Sequence, residues 1–257
     1  MISLISPAKS LNYKDPCPIP FSSALNFKTC TAEIVNHLKH YEPSEFATMM
    51  KISEKLAQQV FDYYLNFDPK NYTTPNAKQA LFAFNGDVYR SIEAATLTQA
   101  QCEYAQEHVG ILSGLYGLAR PMDLVQPYRL EMGTRISFKN GNLYDFWQKT
   151  LTKALQERLN THASKTIINL ASNEYSQAIN KKDFQNNWID IDFKEFKEGK
   201  YKTVGIFAKR ARGMMIRHIL DHNIDTPDEL KNFNVSNYEF NNELSSPNKF
   251  TFTRLQP

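Results

Sequence analysis

Residues 110–133 read GILSGLYGLARPMDLVQPYRLEMG and hold four of the chain's nine glycines beside Arg120, Asp123, Tyr128, Arg129 and Glu131. A strand that runs into Ser113-Gly114-Leu115-Tyr116-Gly117 lets the backbone approach a bound group closely and turns N–H groups outward, which an anion site requires. Loops that only reverse the chain seldom gather so many groups able to bind. Arg120 and Arg129 are therefore candidate anion contacts, Ser113 a candidate polar group, and Glu131 a candidate base or salt-bridge partner. The plainer reading is that the glycines serve packing and turns around Pro121.

Other segments carry groups of the same kind. Ser6 and Lys9 have the SxxK spacing in which an amine can activate a hydroxyl as a nucleophile. Pro16 forbids a long helix behind the serine, and the partner motifs SDN and KTG are absent from the sequence. Ser6 then reads as the cap of a turn at a strand end and Lys9 as an anion contact. FNGDVYR, residues 84–90, offers Asp87 and Tyr89 at a strand end or in a simple turn. INLASNEY, residues 168–175, offers Asn169 and Glu174 at another.

Lys209, Arg210, Arg212 and Arg217 ride a helix whose other face is Ala208, Ala211, Met215 and Ile219. Residues 194–217 together hold eight Lys/Arg against two Glu, although the whole chain carries only +3. Such local excess suits either phosphate binding or a solvated face. The pairs His37/His40 and His218/His222 have helical spacing for a metal but no HExxH frame. Cys17, Cys30 and Cys102 make no CxxC, and neither GxGxxG nor GxxxxGK[ST] occurs. The expectation is no metal and no cofactor.

The elements that position these residues follow from periodicity and punctuation. MISLIS reads as a buried strand. Amphipathic helices are expected over 32–40 and 44–65, the second with Ile52, Leu56, Val60 and Tyr63 at helical spacing. Residues 81–84 read as a short strand. Thr98 with Gln101 starts a helix to about residue 108, which delivers the chain into VGILSG. Asn140-Gly141 is a turn before a helix with Leu143, Trp147, Leu151 and Leu155 on one face.

TIINLAS is a β-branched run with the look of a strand buried on both faces, and Ser172 caps the helix start that follows. Ile189, Ile191 and Phe193 alternate with polar residues, and YKTVGIF returns after Gly199 to complete a hairpin. The basic helix comes next, then a capped start at Thr226-Pro227-Asp228-Glu229, and finally a hairpin of NYEF with FTFTR across SSPN. Buried strands alternating with helices and mixed with hairpins give an α/β fold: one compact domain over 1–257 with a mixed sheet flanked by helices.

Composition agrees with that reading. Of 257 residues 42% are apolar, 12% aromatic and 22% charged, the balance of a folded globular chain. No apolar run reaches membrane-span length, so no membrane partner is expected. MISLISPAKS lacks the basic start and apolar length of a secretory signal, and three unpaired cysteines suit a reducing compartment. The localisation expected is cytoplasmic.

ISPAK, FNGDVY, LSGLYGLARPMDLVQPYRLEMG, INLASNEY and AKRARGMMIRHI stand in an order and spacing that resembles the YaaA family of peroxide stress resistance proteins, over essentially the whole chain. The resemblance implies a cytoplasmic bacterial protein that helps cells survive hydrogen peroxide by keeping free intracellular iron low, which limits damage to DNA. It further implies a compact α/β fold with a positively charged cleft, a helix-hairpin-helix-like element, here over about 208–233, and binding to duplex or distorted DNA. No settled catalytic activity comes with it.

Two functions remain open on the sequence. In the first, a DNA-binding stress protein, Lys209, Arg210, Arg212 and Arg217 contact phosphates largely without regard to sequence, and Lys9, Arg120 and Arg129 line an adjoining cleft. In the second, an enzyme takes a small anionic or nucleobase substrate, and Ser6, Lys9, Asp87, Tyr89, Ser113, Glu131, Asn169 and Glu174 supply the chemistry.

Overall fold

The computed structural model describes residues 1–255 apart from positions 75, 140, 185 and 186. Strand β1 (Ile2–Ile5) is completely buried, its one polar residue Ser3 included, as befits a strand inside a parallel sheet. It pairs in parallel with β3 (Val109–Ser113) on one side and β6 (Ile167–Asn169) on the other. Beyond β6 come β7 (Trp188–Lys197) and β10 (Lys249–Leu255), again parallel. Short antiparallel strands β4 (Gly117–Ala119) and β9 (Glu239–Phe240) close the two edges, and β8 (Lys200–Lys202) pairs with the far half of β7. The result is one α/β domain with an eight-stranded mixed sheet. A separate ribbon pairs β2 (Lys78–Gln79) with β5 (Leu124–Val125).

The helices are α1 (Lys28–Leu38), α2 (Pro43–Met50), α3 (Glu54–Leu65), α4 (Ala80–Ala83), α5 (Asp87–Ile92), α6 (Gln99–His108), α7 (Leu143–Leu159), α8 (Asn173–Ser176) and α9 (Gly205–His222). Thr98 and Gln101 form the capping box expected before α6. On α7, Leu143, Trp147, Leu151 and Leu155 are buried, and the Trp147 indole donates to the Gly114 carbonyl at 2.9 Å. That bond ties α7 to the end of β3. Helix α5 packs on α9 so closely that a Cβ on Gly213 would fall 2.1 Å from the Val88 carbonyl oxygen.

Several elements differ from the sequence reading. The helix expected over 44–65 is two, because Lys51 turns left-handed (φ 52°) and Ser53 caps a new start through the Leu56 N–H. Where a strand is expected over 81–84, Ala80–Ala83 form a buried helical turn, and only Phe84 is extended, in an isolated bridge to Leu11. The returning strand after Gly199 stops at Lys202, and Gly205-Ile206-Phe207 already belong to α9. Residues Pro227–Asn232 form a 3-10 helix rather than a second α-helix. Of the turn expected at Asn140-Gly141, Asn140 lies outside the described residues.

Candidate functional site

The chain leaves β1 for β3 on one side of the sheet and leaves β6 for β7 on the other, so the carboxyl ends of β1 and β6 flank a topological switch point, where open α/β sheets bind ligands. Ser6 sits there. Its hydroxyl accepts the Ser172 N–H at 2.9 Å and donates to the Ser172 hydroxyl at 3.3 Å. Ser6 does not cap a turn of its own strand, as the Ser-Pro pair suggested. It pins together the loops that follow the two strands.

Lys9, three residues on, lies 3.1 Å from Glu131, and the Arg129 guanidinium lies 3.3 Å from the same oxygen. The Lys9 side chain is 63% exposed, whereas Arg129 is mostly buried and its Nε meets no hydrogen-bond partner among the described residues. Tyr128 and Tyr175 complete the wall with Pro7 and Ala8 around a cavity of about 10 Å³. That space suits a single water molecule or a very small ion. Burial holds both phenols far above their ordinary pKa, so they stay neutral.

The glycines explain how Glu131 arrives. A Cβ on Gly114 would meet the Leu130 carbonyl oxygen at 2.5 Å, so the close approach they allow is to the protein's own backbone. Ser113 serves the same turn: it is fully buried, shares a 2.7 Å hydrogen bond with Tyr128, and accepts from the Leu115 and Tyr116 N–H groups. Tyr89 is buried and donates to the Ser6 carbonyl at 3.0 Å. Glu174 accepts from the Gly133 N–H at 3.1 Å. Ser6, Lys9, Tyr89, Ser113, Arg129, Glu131 and Glu174 are thus neighbours.

The remaining candidates fall outside that group. Asn169 faces away toward β7 and donates to Asp190 at 2.7 Å. It lines a second, polar cavity of about 270 Å³ with Asn173, Asp192, Arg212 and Lys249. Burial there lowers the pKa of Arg212, and the nearby Asp192 carboxylate counters it. Asp87 begins α5 and pairs with Arg90 at 2.9 Å and more loosely with Arg210 at 3.9 Å. Arg120 lies at the opposite end of β3 from Ser113, held by Asp123, so it lines no cleft with Lys9 and Arg129.

Arg217 is committed to structure. It grips Asp221 through two 2.9 Å contacts and reaches Thr96 at 2.6 Å. The expected electropositive hollow is therefore charge-paired: Lys9, Arg120, Arg129, Arg210 and Arg217 each stand within 4 Å of a carboxylate. Lys209 is exposed and stands in no ion pair with a described residue. Lys197 and Lys200, at the tip of the β7–β8 hairpin, share both properties. Phe196 and Tyr201 pair across that hairpin with ring centroids 5.0 Å apart and are 36% and 40% exposed.

The model of the family described as peroxide stress protein YaaA matches residues 1–244. A UPF0246 protein of Francisella philomiragia is 52% identical over 255 residues, spanning 99% of this chain and all of that protein. UPF0246 proteins of Francisella tularensis subspecies tularensis and novicida are both 50% identical, again over 99% of this chain and their full length. The chain belongs to the YaaA family. Four of the segments that carried the resemblance in this YaaA-family chain, ISPAK, FNGDVY, the glycine-rich stretch and INLASNEY, all meet around the switch point.

The sequence reading missed Tyr175 as part of that wall and Ser172 as the partner of Ser6, having treated them only as a helix residue and a cap. It also missed one cluster of histidines. His37 meets the Tyr41 hydroxyl, and His222 meets the His218 carbonyl, so the pairs at helical spacing are engaged locally. His108 and His162, 54 positions apart, instead stand ring to ring at 4.7 Å with Asp225 beside them. No sequence spacing could have revealed that. Among the described residues no helix is long and apolar enough to cross a membrane.

Proposed function

We propose that this YaaA-family protein acts in the peroxide stress response as a cytoplasmic DNA-binding protein, and that its action protects DNA and limits free intracellular iron. The observation that carries the DNA reading is the projecting β7–β8 hairpin with the adjoining start of α9. Lys197, Lys200 and Lys209 are exposed without an acidic partner among the described residues, and the same hairpin carries the exposed Phe196 and Tyr201 rings on the face opposite Lys197 and Lys200. Unpaired ammonium groups release counterions from a phosphate backbone, and exposed rings stack on unpaired or distorted bases. Lys202 and Arg210 add charge at the margin, since their exposed pairings with Glu198 and Asp87 are worth little. The family description supports the peroxide assignment, and three free cysteines agree with a reducing compartment.

Fluorescence anisotropy with a labelled duplex and a mismatched duplex tests the reading. Affinity is expected to fall about a hundredfold between about 50 and about 200 mM salt if roughly four phosphates are neutralised. Salt-independent binding, or none at low salt, contradicts it.

A second reading has one observation in its favour: the Ser6–Ser172 link and the Lys9–Glu131–Arg129 triad stand at a switch point. The proposal there is an enzyme for a small anionic or nucleobase substrate, with Glu131 as base and Lys9 and Arg129 as its neutralising cations. A cavity of about 10 Å³ requires Lys9 to swing outward before any such substrate enters. Loss of turnover in Glu131→Gln with DNA binding intact would favour this reading over the first.

A further inference from the structure

We propose that His108, His162 and Asp225 form a binding site for one divalent transition-metal ion, of the borderline class that includes zinc and ferrous iron. His108 is the last residue of α6, His162 lies in the turn after α7, and Asp225 follows α9. These three separate segments meet beside the start of β1, at the opposite end of the parallel strands from the switch point. One donor atom from each residue lies within 4.8 Å of the other two. Donors on one tetrahedral ion at about 2.0–2.2 Å stand about 3.4 Å apart, so side-chain rotations that draw the set in by about 1 Å complete the site.

The decisive detail is His162. It is 92% buried, being only 8% exposed, and its Nε2 makes no hydrogen bond to any described residue. A buried ring nitrogen without a partner is costly to leave, and such an orphan asks for an explanation. A cation between the two imidazoles and the carboxylate supplies the missing partner. The rings are also held in place: Tyr104 stacks on His108 at 3.9 Å, and His162 meets His108 edge-on.

Two imidazoles and one carboxylate, with further positions open, match the donor softness of zinc and non-haem iron rather than calcium or magnesium. The competing arrangement is a polar knot without metal. In it the Met1 amino group contacts Asp225 at 2.5 Å, and His108 Nδ1 stands 3.1 Å from the Met1 carbonyl and 3.5 Å from Asp225. That knot satisfies Asp225 and His108 but leaves His162 Nε2 alone.

Metal-stripped, untagged full-length protein titrated with Co²⁺ and then competed with Zn²⁺, and titrated with Fe²⁺ without oxygen, decides between the two. The site predicts one ion per chain and a Co²⁺ visible spectrum typical of nitrogen and oxygen donors. Affinity should drop about tenfold or more in both His162→Ala and Asp225→Asn, and stay unchanged in His222→Ala. His162→Gln, which keeps a polar side chain of similar size, reports on the site even if the alanine variant does not fold. No binding by the intact protein overturns the proposal. So does equal affinity in every variant, or loss confined to His222→Ala.

Discussion

Glu195 is 1% exposed, with the Arg254 guanidinium 2.8 Å from one oxygen and the Tyr238 hydroxyl donating to the other. Removing the arginine would leave a buried carboxylate without its counter-charge, which typically costs about 3–5 kcal/mol. Urea denaturation of Arg254→Met should show a loss of that order; a loss under about 1 kcal/mol would mean that water or Tyr238 suffices. Gly114→Ala tests the packing at the switch point in the same assay. Its new Cβ must displace the Leu130 carbonyl, and overpacking of this kind costs about 1–3 kcal/mol. An unchanged midpoint would show that the 128–131 segment yields freely. At this scale the sequence exposed which residues can do chemistry but not who neutralises them. Lys9 and Glu131 are 122 positions apart, and nothing local announces that they pair.

Helix α9 carries a titratable element of a different kind. His218 packs edge-on against Phe233 and stands 4.4 Å from the His222 ring, and burial first, then His222, lowers its pKa. An unfolded histidine takes its proton near pH 6.5, so as pH falls below that value the unfolded chain is protonated first and stability is lost. His218→Gln should therefore lose less Tm than the parent chain between about pH 7 and about pH 5, with zinc and iron chelated in both. Parallel curves would exclude His218 as a source of the acid sensitivity. The limits of periodicity are also clearest for elements. Apolar spacing through Ile52, Leu56 and Val60 began before the Ser53 cap and so hid the break after Lys51, although Ser53-Glu54 already spelled a fresh helix start. The parallel strands ISLI and VGILS were legible because burial on both faces leaves no choice of pattern. The turn at 80–83 was not, because a short apolar run carries no period.

For the molecule as a whole, the sequence located positive charge in residues 194–217, and folding divided that charge into two populations. Arg212 and Arg217 are drawn into the body, where Asp192 and Asp221 stand near them. Lys197, Lys200 and Lys209 remain in solvent, two of them at the tip of the β7–β8 hairpin. The DNA reading therefore rests on the hairpin and not on the arginines of the cleft, a distinction only three-dimensional pairing reveals. The most direct test is the slope of log affinity against log salt for duplex DNA, measured for the parent chain and for a Lys197→Ala/Lys200→Ala/Lys209→Ala variant. Each lost phosphate contact lowers the slope by about 0.9, so the variant should be less steep by about 2 to 3 and bind more weakly at low salt. Identical slopes and affinities in the two proteins would contradict the account.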